Sequence, residues 1–181
     1  MIETAKLQSC KTINLIATEL GAPVYEKLGF ITETEYLFFK DLNIQSVNNN
    51  SANIIKYQSN YRNQLSEIDY KVSGENRFIQ LEKHLTEALV YMIDEEVHGY
   101  YLPTLGEGLI IAINSLAGVE LMKIRLSIST NAAFPIENFE ATELLLRLGH
   151  KPFKKAKRMR LGMEREWQPA TMYNRIGGNI G

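Results

Sequence analysis

The sequence predicts an α/β fold: a mixed sheet flanked by helices, preceded by a partial unit of the same kind. Three observations predict it. First, one stretch occurs twice, as Ala17 to Phe30 and as Phe134 to His150, with Gly149 standing 120 residues after Gly29. With the two glycines superimposed, Val24, Tyr25 and Leu28 fall on Leu144, Leu145 and Leu148, and Gly21 falls on Ala141. That spacing marks one face of a helix. Second, each predicted helix follows a short apolar run, Ile13 to Ala17 or Ala132 to Ile136, and stops at a glycine suited to a left-handed cap. Each copy therefore reads strand, polar corner, helix, glycine, strand. Third, alternating apolar runs from Leu89 to Leu102 around Asp94-Glu95-Glu96 read as a β-hairpin that feeds a further strand and a helix.

Taken in order, residues 2 to 11 read as a short amphipathic helix carrying Ile2, Ala5, Leu7 and Cys10. Ile13 to Ala17 is a strand, Pro23 sits in the first turn of the next helix, and Ile31 to Phe39 is a closing strand. The polar tract Asn48 to Asn53 marks a linker over residues 44 to 53, dividing a partial unit (1 to 43) from a second domain (54 to 181). In that domain Glu75 to Glu87 reads as a helix capped by Ser73 or Asn76, with Phe78, Leu81 and Leu85 inward. The hairpin follows, then a strand over Gly108 to Ile113, a helix from Leu116 to about Ser129, and the second copy of the repeat.

Composition bounds the function. Apolar residues make up 45% and charged residues 23%, an ordinary globular balance. Twenty basic against 21 acidic residues leave a net charge of −1, which gives no reason to expect nucleic acid or an anionic membrane as partner. Cys10 is the single cysteine, so an internal disulfide is excluded and a reducing, cytoplasmic setting is expected. No apolar run approaches a membrane span, and the start lacks a signal-peptide layout. His84, His98 and His150 stand singly, without metal-ligand spacing, so no metal site is expected.

The first copy, Leu15-Ile16-Ala17-Thr18 through Tyr25-Glu26-Lys27-Leu28-Gly29-Phe30, resembles the closing strand, helix and strand of the GNAT superfamily of acyl-CoA-dependent N-acetyltransferases. The second keeps Asn138, Ala141 and Leu148-Gly149 of that pattern but has Leu145 where the family's tyrosine would stand. It resembles the second, GNAT-like domain of bacterial two-domain members. The tail, Tyr173 to Asn179, is similar to the end of those proteins. The resemblance implies acetyl transfer from acetyl-CoA to an amine on a small molecule or peptide. Tyr25 would protonate the departing thiolate, and Thr18, Ala22, Tyr25 and Lys27 would lie along the cofactor arm. A phenol keeps its proton at neutral pH and can donate it as charge develops on sulfur.

Each of these residues is also open to a plainer reading. Tyr25 can be a packed aromatic, Thr18 a corner, Ala22 a packing residue and Lys27 a surface one. The family's pyrophosphate turn, whose backbone N–H groups open a helix, has no match in the sequence; the corresponding place in the second unit reads Ile113-Asn114-Ser115-Leu116-Ala117-Gly118. A non-catalytic module for acceptor binding or assembly therefore stands as the alternative. The lysines and arginines from Lys151 to Arg160 crowd one strand and read as a solvated face or a covered sheet edge. Residues 2 to 40 carry too few apolar side chains for a core of their own, so the chain is expected to be a homo-oligomer, with docking of the first unit on its own second domain, or a disordered first unit, as the alternative.

Overall fold

The computed structural model describes residues 11–44 and 51–177. The helix expected over residues 2 to 11 lies outside these but for Lys11, as do most of the expected linker and the last four residues. The strands are β1 (Thr12–Ala17), β2 (Ile31–Phe39), β3 (Ile54–Lys56), β4 (Leu89–Ile93), β5 (Glu96–Leu102), β6 (Leu109–Ala112), β7 (Ala132–Pro135), β8 (Lys154–Gly162) and β9 (Met172–Asn174). The helices are α1 (Ala22–Lys27), α2 (Arg62–Ser73), α3 (Phe78–Leu81), α4 (Ser115–Leu126) and α5 (Phe139–Arg147). The class is α/β, as expected. No helix among the described residues is long and apolar enough to cross a membrane.

The strands form two sheets, in the orders β1-β8-β2-β7 and β3-β4-β5-β6-β9, and every ladder in them is antiparallel. The first sheet is built from both copies of the repeat. Strand β8 of the second copy lies between β1 and β2 of the first, and β2 lies between β8 and β7. The central ladder pairs Tyr36 with Ala156, Glu35 with Lys157, and Leu37 with Lys155. Because Tyr36 and Ala156 stand 120 residues apart and the flanking pairs exchange under a shift of 120, Glu35 and Lys157 going to Lys155 and Leu37, the ladder maps onto itself when the two copies are exchanged. It is an internal two-fold. The first unit thus docks on its own chain.

Local chemistry explains the repeated elements. Gly29 and Gly149, past the ends of α1 and α5, take φ of +89° and +82°, the left-handed cap their positions predict. Asn138 caps α5 by accepting from the Ala141 N–H at 2.9 Å, and Thr18 Oγ1 accepts from the Gly21 N–H at 3.2 Å in the equivalent corner. On α5, Leu145 is fully buried in the main core with Phe39, Phe134, Leu121 and Tyr173. On α1 the equivalent face fails to bury. Val24 and Leu28 are 58% and 52% exposed, and Tyr25 packs into a small cluster with Ala17, Ala22, Phe30 and Met159. The spacing is the same, but α5 has α4 beside it, whereas no described helix covers that flank of α1.

Two further differences have simple causes. Helix α2 carries Leu65, Ile68 and Val72 at helical spacing, all buried, within a mostly polar stretch whose periodicity is easily missed. The helix expected over Glu75 to Glu87 begins only at Phe78 and tightens into a 3-10 turn over Glu82–Glu87. Its N-cap is Arg77, since Ser73 instead accepts from the Glu75 N–H at 3.1 Å. Phe78, Leu81 and Leu85 are buried as expected, beneath the sheet face formed by Val90, Tyr100 and Ile111. Inside that core Asp69 accepts from both Arg77 and Tyr100, and the burial of Tyr100 raises its pKa well above the ordinary phenol value.

Deleting residues 1–43 removes both neighbours of β8 and the hydrogen-bonded partner of β7. The truncated chain is expected to lose its cooperative urea transition and its near-ultraviolet circular dichroism. A sharp transition in the fragment would show that the second unit folds by itself.

Candidate functional site

The residues marked out by the sequence gather around α1. Thr18 and Ala22 help to line a cleft of about 920 Å³, with Glu19, Leu20, Pro23 and Glu26 on the α1 wall and Glu35 and Phe153 to Lys157 opposite. Residues paired across an antiparallel ladder share a face, so Glu35, Lys155 and Lys157 rise on the same side of the sheet. Lys157 pairs with Glu26 at 2.9 Å and Lys155 with Glu35 at 3.4 Å, all four side chains being well exposed. Such pairs are worth ~0–1 kcal/mol. Three lysines and three glutamates line the walls, so the cleft carries no charge excess that would select an anion.

Tyr25 and Lys27 are not among the lining residues. The Tyr25 ring is half-buried and meets Phe30 edge to face, with centroids 5.5 Å apart. Its hydroxyl makes no hydrogen bond among the described residues, while Lys27 is exposed on the helix. The structure therefore brings Thr18 and Ala22 together at the cleft, sets Tyr25 behind them in the packing, and leaves Lys27 apart. Sequence reading missed the carboxylates Glu26 and Glu35. The signal available was the alternation along β8, which puts Lys155 and Lys157 on one face.

The second copy is closed. Strands β6 and β7 are joined by α4 yet belong to different sheets, and the C-terminal segment fills the split between them. Strand β9 pairs with β6, setting Asn174 opposite Ile110. The Asn174 amide donates to the carbonyls of Glu107 and Gly108 at 3.0 and 2.8 Å, and its oxygen accepts from the Ala133 N–H of β7 at 3.0 Å. The Arg175 N–H donates to the Ala133 carbonyl at 2.9 Å. The Arg175 guanidinium makes a forked pair with Glu107 and lies 4.7 Å over the Phe38 ring. Asn174 is 1% exposed, so these bonds satisfy a side chain that would otherwise be costly to bury.

The start of α4 is the place where the family pattern would hold a pyrophosphate, and the residues present do not fit one. Asn114 caps it, taking the Ala117 N–H at 3.1 Å, and the Tyr173 hydroxyl donates to the Ser115 carbonyl at 3.4 Å. The Tyr173 ring rests on Gly118 so closely that a Cβ there would lie 2.1 Å from it. Burial, then the nearby Glu140, pushes the Tyr173 phenol well above its ordinary pKa, so it stays neutral in this packing. Elsewhere, no cluster of three or more histidine, cysteine or acidic side chains suited to a metal ion occurs among the described residues.

No family model matches the sequence, and no curated protein matches it. Solved structures do. A candidate acetyltransferase of Pyrococcus horikoshii aligns with a TM-score of 0.74 at 21% identity, over 94% of this chain and 60% of that one. A GCN5-related N-acetyltransferase of Sphaerobacter thermophilus aligns with a TM-score of 0.55 at 12% identity, over 88% of this chain and 62% of that one. A GNAT-family candidate acetyltransferase of Novosphingobium aromaticivorans gives 0.54 and 11%, over 84% and 74%. What is shared at such identities is the fold, and the resemblance read from the repeat holds at that level. The chain spans about three fifths of the length of the first two.

Gly118→Ala is expected to destabilise the chain by about 1–3 kcal/mol in urea unfolding, because the new methyl overlaps a buried ring. Tyr173→Leu should recover part of that loss in the double variant, a non-additivity that two independent sites would lack.

Proposed function

We propose that this chain, with its GNAT fold, carries the Tyr25 side of an acyl-CoA-dependent N-acetyltransferase site and uses its second unit as a structural module. The observation that carries the reading is the asymmetry between the two copies of one repeat. In the first, the Tyr25 hydroxyl has no hydrogen-bond partner among the described residues and stands one helical turn from Ala22, which lines the cleft. In the second, Leu145 takes the same place in the core, and the split beyond β7 is filled by Met172 to Ile176. If chemistry runs in this fold, it runs at the α1 end.

The roles follow from the side chains. Tyr25 holds a proton at Oη that it can donate to a leaving anion, Thr18 and Ala22 shape the wall along the cofactor arm, and acetyl-CoA supplies the acyl group when bound. The acceptor is an amine on a small molecule or peptide. The second reading, a non-catalytic module for acceptor binding or assembly, is favoured by one specific observation: the helix start that would serve a pyrophosphate is covered by Tyr173.

The full chain is expected to bind acetyl-CoA weakly or not at all in calorimetric titration, because its described residues offer no free phosphate cradle. Tight binding would overturn that account. In a longer protein that supplies the cradle and turns over, Tyr25→Phe should lower kcat more than it raises KM for acetyl-CoA. An unchanged kcat would return Tyr25 to the packing residues.

A further inference from the structure

Charge is split in a particular way in the cleft beside α1. Glu35 of β2 and Lys157 of β8 stand directly opposite each other in the central ladder. Cross-strand partners of this kind hold their Cβ atoms about 4.5–5.5 Å apart, near enough for opposite charges to pair. Yet each turns to another residue: Lys157 reaches Glu26 of α1 at 2.9 Å, and Glu35 reaches Lys155 at 3.4 Å. The signs therefore alternate through Glu26, Lys157, Glu35 and Lys155, all of which line the cleft. Of the other two charged residues on its walls, Lys154 lays its ammonium 5.3 Å over the Phe38 ring, and Glu19 stands exposed in the turn before α1.

Such a row selects against single charges of either sign. A lone cation drawn to Glu35 also meets Lys155 and Lys157, and a lone anion drawn to Lys157 also meets Glu26 and Glu35. A molecule carrying both charges side by side finds an opposite charge at each end. The same cleft offers apolar surface, with Leu20, Ala22 and Pro23 on one wall and Phe153, 52% exposed, on the other. We propose that the cleft binds a free amino acid with a large apolar side chain, its ammonium on Glu35 and its carboxylate on Lys157.

Little is lost when such a ligand enters. It leaves Glu26 on Lys157 and Lys155 on Glu35, and joins the two pairs into one chain of alternating sign. The four charged side chains are between 40% and 53% exposed, so their own pairs are weak and free to adjust. Blocking either group of the amino acid removes a link from that chain, and a peptide holds its two charges too far apart to supply both. A cavity of about 920 Å³ is of ordinary size for a small-molecule site and leaves room beyond the charged head for the side chain. Its floor is the two central strands, so the site does not draw on the outer side of β1. The inference concerns binding alone, is tested without acetyl-CoA, and stands or falls separately from acyl transfer.

The probe is L-phenylalanine, set against phenethylamine, which lacks the carboxylate, and hydrocinnamate, which lacks the ammonium. Ligand-observed NMR titration of the full chain at neutral pH should show L-phenylalanine bound about fivefold tighter than either analogue, the upper end of what one exposed ion pair contributes. Glu35→Gln should weaken L-phenylalanine and strengthen hydrocinnamate, because a repelling carboxylate is gone. Lys157→Gln should instead strengthen phenethylamine. Opposite shifts of this kind do not arise from a general loss of structure, and an unchanged Tm shows that each variant is folded; if one fails to fold, the other carries the test. An analogue that binds as tightly as L-phenylalanine, or binding by none of the three, would overturn the proposal. A preference for L-phenylalanine that both substitutions leave intact would also defeat it, by placing the ligand elsewhere.

Discussion

The antiparallel ladder between β2 and β8 holds the architecture together. Each of these strands is central in its sheet and comes from a different copy of the repeat, so the backbone groups of each are satisfied largely by the other copy. Neither copy owns the four-stranded sheet. What looks along the sequence like a fragment followed by a domain shares, in space, that one sheet between two contributors. The apolar face of that sheet merges with the core under α4 and α5, where Leu37 and Phe39 of the first copy pack with Phe134 and Leu145 of the second.

The opposite face of the same sheet is sealed by polar chemistry. Glu33, at an irregularity in β2, takes Arg158 at 3.1 Å and Arg160 at 2.9 Å, and all three side chains are largely buried. Glu33 is the one buried carboxylate for the two guanidinium groups, and Arg160 reaches a second, exposed one, Glu164, at 3.8 Å. The Trp167 ring, 3.9 Å from the Arg158 guanidinium, lays its negative face over it. Tyr36 closes the centre, donating its hydroxyl to Met172 Sδ at 3.2 Å, and burial raises its pKa. The chain after β8 thus covers this face on its way to the split between β6 and β7. Removing one partner from such a cluster leaves a buried charge uncompensated, which costs about 3–5 kcal/mol.

Much of this was legible in the sequence, because the signals are local. The hairpin around Asp94, both glycine caps, and the strands β2 and β8 follow from alternation and turn chemistry within a few residues. What sequence could not carry was partnership. Nothing in Ile31 to Phe39 says that its neighbours are β7 and β8, far along the chain, and nothing in Asn174 says that its amide spans two sheets. The apolar spacing on α1 was real, yet Val24 and Leu28 stay exposed because burial depends on what lies alongside. The candidate site was legible in part. Thr18 and Ala22 meet at a cleft, but the glutamates that face its lysines come from a strand and a helix that only the folded sheet brings together.

The interlocked sheet also sets a schedule for synthesis. Residues of β2 find their strand partners on β8 116 to 129 positions further along the chain. Both strands of the first copy emerge from the ribosome long before anything exists to pair with them. Native contacts of such long separation form slowly, since the loop must close before the pairing repays it. Through that interval β1 and β2 are apolar edges in a nascent chain, open to wrong partners. β1 and β2 can complete their sheet only once β7 and β8 have been made.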